Sequence, residues 1–378
     1  MKKLFESDKV LITTFGLLLI IGLLFFLSAS LGVLASNGAK FNSIIQNQLL
    51  FGFLGSIISF IIIIRIPTTF WQKYASLLFF ISLILTALVY IPGIGISHGG
   101  AVRWIDIGPV SFQPSDFLKA GVLLYLSALY SKFLNKNNIQ NNKLKPINIF
   151  SLIAPAVIIL GLCSLVLLFQ PDTKSVVLIF LMVSVILFIV GLPYKIIISI
   201  LGILIIVTTM LIMSKPYIKD RFETFLNPER DPRGSSYQLK QSLIGFGSGG
   251  LIGQGFGQSV QKFNFLPEPQ GDSIFAVVGE EVGFIGSIVI IGLYLIFILR
   301  GIKLVSTLES PFGRLFFVGF FTLFAFQTFL NIGSITGLIP LTGVTLPLMS
   351  QGGTSLLITC SLFAIVVRLL YEQNKLHN

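Results

Sequence analysis

Asp272 closes a glycine-rich polar loop, and Glu280 and Glu281 follow it inside an apolar run. Carboxyls are costly to keep where a chain enters an apolar segment, which makes all three functional candidates. Beside a hydroxyl, an aspartate can take the proton as that oxygen attacks, which is general-base chemistry. Aspartate is also a good helix N-cap, and both roles stay open for Asp272. An unbroken helix places Glu280 about 12 Å deeper. Glu280 and Glu281 project to different faces, so at least one needs a buried partner or a proton. Pro267 and Glu268 lie just upstream in Leu266-Pro267-Glu268.

Other polar groups accompany these acids. In Gln113-Pro114-Ser115-Asp116, proline and serine suit a helix start, and Asp116 falls in the first turn, where the helix dipole favours an anion. Lys119 stands three residues on and can pair with it. The pair either fixes the helix end or presents Lys119 to a cavity and a substrate. Arg103 beside Trp104 reads as an interfacial anchor, or as a planar fork of donors for a diphosphate. Gln170-Pro171-Asp172 punctuates the end of a helix. Residues 331–355 hold Thr342-Gly343, Pro347, Ser350 and Thr354. Polar, broken backbone at membrane depth is tolerated only when buried or lining a cavity, so these motifs are expected to converge on one groove.

Hydrophobic residues make up 54% and charged residues 11% of the 378 positions, with mean hydropathy +0.92. That is an all-α integral membrane protein in one polytopic domain. Ten apolar runs are long enough to span: 11–33, 46–64, 74–92, 117–133, 149–169, 176–191, 194–213, 273–299, 315–336 and 353–371. The first run is expected to be a retained anchor, since it is long and lacks a small-residue cleavage site. With both termini cytoplasmic, inside segments hold fifteen Lys and Arg and short outside segments four. The large extracytoplasmic loop, 214–272 between spans seven and eight, adds seven more, including Lys240 in an amphipathic stretch and Lys262. Those cations either meet anionic headgroups or serve an anionic lipid-linked substrate. Cys163 and Cys360 fall inside spans, and His98 and His377 have no metal-ligand spacing. The glycine run at 245–257 opens no strand–helix unit, so nucleotide binding is not indicated, and no nucleic-acid partner is expected.

Together these motifs resemble the SEDS family of bacterial cell-wall proteins, the family of FtsW, RodA and SpoVE. The resemblance rests on Gly100-Ala101-x-Arg103-Trp104, Gln113-Pro114-Ser115-Asp116-x-x-Lys119, Gln170-Pro171-Asp172, Leu266-Pro267-Glu268-x-x-x-Asp272, Gly279-Glu280-Glu281 and Pro340-x-Thr342-Gly343-x-x-Leu346-Pro347. It covers nearly the whole chain. Residues 257–262 resemble the FtsW division branch more than the RodA elongation branch. The chain departs from the family pattern at Asp116, where glutamate is usual, at Thr173-Lys174, at Ser273 and at Gln351.

The resemblance implies peptidoglycan glycosyltransfer on lipid II and undecaprenyl-diphosphate-linked glycan at the outer face of the bacterial cytoplasmic membrane, at the division septum. It implies Asp272 as catalytic residue, and a class B penicillin-binding protein and other divisome proteins as partners, within membrane lipid. The expected substrate-binding residues are Arg103, Lys119, Asp116, Lys240, Lys262, Glu268, Ser350 and Thr354, with Arg103 and Lys119 first for the diphosphate. Trp104, Gln113, Pro267, Glu280, Glu281 and Pro347 are expected to support them. A divalent cation, magnesium or manganese, could share the charge. The rival expectations are a lipid II flippase that relays protons, an elongation polymerase of the RodA type, and a non-catalytic scaffold.

Overall fold

The computed structural model describes residues 8–98, 101–107, 110–139, 149–196, 198–199, 202, 216–227 and 235–377. Helix α1 (Lys9–Ser36) starts at Asp8, whose carboxylate accepts from the Leu11 amide at 2.8 Å. Next come α2 (Gly38–Gln46), a π-helical segment (Asn47–Leu54) and α3 (Gly55–Ile63), which together make one span. Helix α4 (Thr68–Leu88) leads into three antiparallel strands, β1 (Gly95–His98), β2 (Ala101–Ile107) and β3 (Val110–Phe112), in the order β1-β2-β3. Then follow α5 (Pro114–Ile139), α6 (Ile149–Phe169), α7 (Thr173–Val190), α8 (Pro216–Leu226) and α9 (Ser235–Gly249). The chain ends with α10 (Ile274–Val305), α11 (Pro311–Ile335) and α12 (Gly353–His377).

Among the described residues, nine helical segments are long and apolar enough to cross a membrane, and the protein is a multi-pass membrane protein. Most of the expected seventh span, 194–213, lies outside the described residues; Gly191, at φ 101°, ends α7 just before it. Left-handed backbone of that kind commonly closes a helix at glycine. The three-stranded sheet was not expected from a stretch read as loop. Alternation in Val102-Arg103-Trp104-Ile105-Asp106-Ile107 explains it, with Ile105 buried and Asp106 exposed. Trp104 pairs with Ile96 across β1 and β2.

Helices α5, α11 and α12 form the centre. Their apolar windows are 61–72% buried, against 22% for α4 and the α2–α3 span. Lipid tails are as apolar as side chains, so contact between helices relies on close packing rather than on water exclusion. Phe15 of α1 stacks on Phe363 of α12 at 3.8 Å, and Phe297 of α10 meets Phe324 of α11 at 4.9 Å. Small residues bring backbones together: a Cβ on Gly22 would lie 2.1 Å from the Leu348 carbonyl oxygen.

Helix α10 is broken. Gly283 takes φ 66° and ψ −167°, a conformation essentially confined to glycine. The break frees backbone groups that must find partners inside the protein. Residues 250–255 supply them. The Phe284 and Ile285 amides donate to the Gly250 and Leu251 carbonyls, and the Glu280 and Glu281 carbonyls accept from the Gln254 and Gly255 amides. A Cβ on Gly283 would sit 2.3 Å from the Gly253 nitrogen.

Side chains complete this dock. The Glu280 carboxylate accepts from Ser259 Oγ at 2.5 Å, the Val260 amide at 3.0 Å, the Gln261 amide at 3.2 Å and Ser248 Oγ at 3.3 Å. Glu281 pairs with Lys262 at 2.8 Å, both side chains 0% exposed, and Ser28 of α1 donates to the same carboxylate at 2.6 Å. Lys262 Nζ also donates to Ser28 Oγ at 3.0 Å and to the Gly257 carbonyl at 2.7 Å. An ammonium has three hydrogens, and all three are used. Lys262, expected to meet substrate, is instead a buried tether between the loop, α1 and α10.

Two outcomes test this dock by thermal unfolding in detergent. Gly283→Ala should lower the midpoint, whereas Gly292→Ala, where a Cβ meets open space, should leave it level or raise it. Equal midpoints would show that the break carries no strain for a side chain. Lys262→Met and Glu281→Gln should each cost about 3–5 kcal/mol, because each strands the other group. The double variant should cost clearly less than their sum, and simple additivity would mean that the pair is uncoupled.

Candidate functional site

Asp272 stands at the end of the docked loop, two residues before α10 begins, and is half-buried. Its backbone carbonyl accepts from Asn331 Nδ2 of α11 at 2.8 Å, and the same nitrogen donates to the Val344 carbonyl at 2.7 Å. Gln238 Nε2 of α9 donates to Asp272 Oδ1 at 3.1 Å and to Ser273 Oγ at 2.9 Å. Helices α9 and α11 thus fix this aspartate from two sides. The helix cap that its sequence position allows is not made: Ser273 precedes the helix with no side-chain cap bond.

Burial, and then the Glu268 carboxylate, push the Asp272 carboxyl up to about 6, against the opposing pull of Lys174, Arg221 and the Gln238 hydrogen bond. Glu268 is exposed, with φ 45°, and its carbonyl accepts from the Gly271 amide at 2.8 Å, so the turn folds it back toward Asp272. Pro267 is exposed on the same turn. Lys174 Nζ donates to the Gly343 carbonyl at 2.9 Å, and Arg221 reaches the Leu341 carbonyl at 3.4 Å. A Cβ built on Gly343 would lie 3.6 Å from both terminal nitrogens of Arg221 and 3.7 Å from Asp272 Oδ2. One carboxylate and two cations therefore gather around a bare stretch of backbone.

Arg103 lies elsewhere in the network. Its Nε donates to the Gln170 carbonyl at 3.1 Å, and its terminal nitrogen donates to the Pro171 carbonyl. It caps the end of α6 and the turn that follows. Asp172 is buried at the start of α7, where it accepts from Ser175 Oγ at 2.8 Å and from Gln113 Nε2 at 3.4 Å. Burial would raise the Asp172 carboxyl, but Lys174, Arg103, the Ser175 hydroxyl and Lys119 together hold it below its ordinary value. Lys174 thus acts on both aspartates.

Asp116 and Lys119 pair at 2.6 Å, each side chain 9% exposed. They line a cavity of about 20 Å³ with Gln327, Ser355 and Thr359. That volume holds about one water, too little for a sugar. Thr354 Oγ1 accepts from the Gln113 amide at 3.1 Å, and Ser350 Oγ accepts from the Leu346 amide at 2.8 Å. The Pro347 carbonyl accepts from Tyr294 at 2.6 Å. These hydroxyls and carbonyls shape the 340–354 segment. Trp104 is half-buried on β2, and Lys240 is exposed on α9.

Of the residues expected at the site, Asp272 and Glu268 lie together, whereas Arg103, Lys119 and Lys262 are engaged elsewhere. Arg103 and Lys119 are engaged with carbonyls and Asp116, while Lys174, Arg221, Gln238 and Asn331 meet or adjoin Asp272. Asn331 had a signal, being an amide in an otherwise apolar run. Lys174 had one too, as a lysine in the first turn of a helix. Nothing in the sequence separates Arg221 from the other loop cations. Among the described residues there is no group of three or more His, Cys, Asp or Glu side chains able to hold a metal ion. Close to Asp272 the positive charge comes from Lys174 and Arg221.

Comparison with known proteins bears on this arrangement. The stage V sporulation protein E of Bacillus subtilis is 38% identical over 370 residues, covering 96% of each chain. The probable peptidoglycan glycosyltransferase FtsW of Trichlorobacter lovleyi is 36% identical, covering 97% of this chain and 93% of its own. A chain from a peptidoglycan synthase complex that coordinates polymerization and crosslinking superposes with TM-score 0.76 at 26% identity, covering 97% of this chain and 98% of that one. The rod shape determining protein RodA of Thermus thermophilus shares the fold, with TM-score 0.68 at 24% identity and 97% of both chains covered. Residues 8–375, from the N-cap of α1 to the last turns of α12, match the family described as cell cycle protein, FTSW_RODA_SPOVE, and the chain belongs to that family.

Proposed function

We propose that this protein is a peptidoglycan glycosyltransferase that polymerises lipid II at the outer face of the cytoplasmic membrane, with both termini in the cytoplasm and a place at the division septum. The acceptor is the 4-hydroxyl of the GlcNAc on incoming lipid II. The donor is the MurNAc anomeric carbon of the growing strand, bound to undecaprenyl diphosphate. The hydroxyl oxygen attacks that carbon, its proton passes to Asp272, and the bond to diphosphate breaks with inversion to give the β-1,4 linkage. The partner fitted to such a product is a crosslinking transpeptidase, a class B penicillin-binding protein. The similar chain in a synthase complex that coordinates polymerization and crosslinking supports that pairing.

The observation that carries this reading is the setting of Asp272. It is half-buried at the mouth of α10, anchored through its carbonyl by Asn331 and through its carboxylate by Gln238. A carboxyl at about 6 is ionised at neutral pH yet more basic than an exposed aspartate, which suits proton acceptance. Buried acids elsewhere are engaged: Asp8 pairs with Arg300 at 2.7 Å, Asp116 with Lys119 and Glu281 with Lys262, while hydroxyl and amide donors hold Glu280 and Asp172. Held in this way, they offer little to a proton relay of the flippase kind.

With purified protein and labelled lipid II in detergent, wild type should form glycan chains. Asp272→Asn should lose about 10²–10⁴-fold in rate while keeping its thermal midpoint. Undiminished polymerisation by that variant would remove Asp272 as the base. The base works as the carboxylate, so the wild-type rate should be level above the Asp272 value of about 6 and decline as pH falls through it. A rate unchanged down to pH 4 would contradict a proton acceptor of that basicity.

A further inference from the structure

The geometry points to Lys174 and Arg221 as the site that takes the donor's diphosphate, over a floor made by Gly343. This rests on the reading of Asp272 as the base in transfer from a diphosphate-linked sugar. A leaving diphosphate gains negative charge as the sugar–oxygen bond breaks, and preorganised cations meet that charge without reorganising. They must lie near the base, because the anomeric carbon stands between the attacking hydroxyl and the departing oxygen.

Partner tallies separate the cations. Lys262 has spent all three hydrogens, Lys119 is buried against Asp116, and Arg103 caps the α6 end. Lys174 is half-buried and donates a single bond, to the Gly343 carbonyl. Arg221 is half-buried and makes one long contact, 3.4 Å to the Leu341 carbonyl. A guanidinium carries five donors in a fork that matches phosphate oxygens, and among the described residues Arg221 uses one of them, with both terminal nitrogens beside Gly343.

Position strengthens the case. Lys174 is the second residue of α7, at the helix end where the dipole disfavours a cation. Asp172, the buried N-cap of the same helix, is the anion that the lysine meets on that side, and the Gly343 carbonyl turns its ammonium toward the Asp272 end of the network. Gly343 has φ 66°, and a Cβ there would already touch both terminal nitrogens of Arg221 at 3.6 Å and Asp272 Oδ2 at 3.7 Å, so the bare backbone is what lets the guanidinium and the carboxylate approach one another over it. Ser273, beside Asp272, shares the Gln238 donor with it.

Calorimetric titration of the full chain in detergent with farnesyl diphosphate tests the inference. Farnesyl monophosphate and phosphatidylglycerol serve as separate arms. Lys174→Met and Arg221→Gln should each weaken diphosphate binding about tenfold or more, the loss expected for a charged hydrogen-bond partner. Lys174→Arg should stay near wild type, and thermal midpoints should not move. Asp272→Asn should bind diphosphate more tightly, since a neighbouring negative charge is gone. If Lys174→Met fails to fold, Arg221→Gln carries the measurement. Unchanged diphosphate binding in the folded variants overturns the site, as does wild-type binding of phosphatidylglycerol as tight as that of the diphosphate. The two readings fail separately. Polymer formation by Asp272→Asn, with binding lost in Lys174→Met, would sink the base and leave the anion site standing.

Discussion

A broken helix in an apolar medium must have its freed backbone groups paired from within the protein, and the architecture around Asp272 follows from that constraint. The break at Gly283 of α10 is closed by residues 250–255, which exchange backbone hydrogen bonds with residues on both sides of it. Only glycine tolerates the approach: a Cβ on Gly253 would lie 2.3 Å from the Glu281 carbonyl oxygen, and one on Gly249 2.2 Å from the Gly279 oxygen. Glu280 and Glu281 then hold the following turn, residues 257–262, through backbone amides, hydroxyls and one lysine. The loop is thereby a rigid extension of α10 rather than a flap above it.

That rigidity decides what Asp272 can do. The loop returns to α10 with Asp272 at its last turn, and α9 and α11 contribute Gln238 and Asn331 to hold the residue by its side chain and by its carbonyl. Its basicity is set by opposed influences. Burial and Glu268 raise it, Lys174, Arg221 and Gln238 lower it, and the balance lies at about 6. Asp172, also buried but with cations that outweigh its burial, is held low and stays an anion. Two aspartates that share Lys174 thus serve different ends. One organises the start of α7, and the other, raised rather than lowered, is the base in the proposed reaction.

The departures from the family pattern are informative in this setting. Aspartate in place of glutamate at Asp116 shortens the side chain, yet the pair with Lys119 still closes at 2.6 Å, because their three-residue spacing keeps them on one helix face. Gln351 meets its neighbours through its backbone, its amide donating to the Gln270 carbonyl at 2.6 Å. Lys174 and Ser273 differ from these two. Both bear directly on the surroundings of Asp272.

The membrane class, most span positions, the Asp116–Lys119 pair and the candidacy of Asp272 were determined by the sequence alone. Each depends on local information: apolar length, helical periodicity, or a charge where charge is costly. The tertiary structure alone decided which cations lie near Asp272. Ser28 and Glu281 are 253 residues apart, and Lys174 and Gly343 are 169 apart. A lysine in a polar loop reads as solvated, yet Lys262 is buried, while Lys174, at a helix start, donates to the Gly343 carbonyl and lowers the carboxyl of Asp272. Burial and pairing depend on which distant segments meet, and that follows from how the broken α10 is closed rather than from any pattern along the chain.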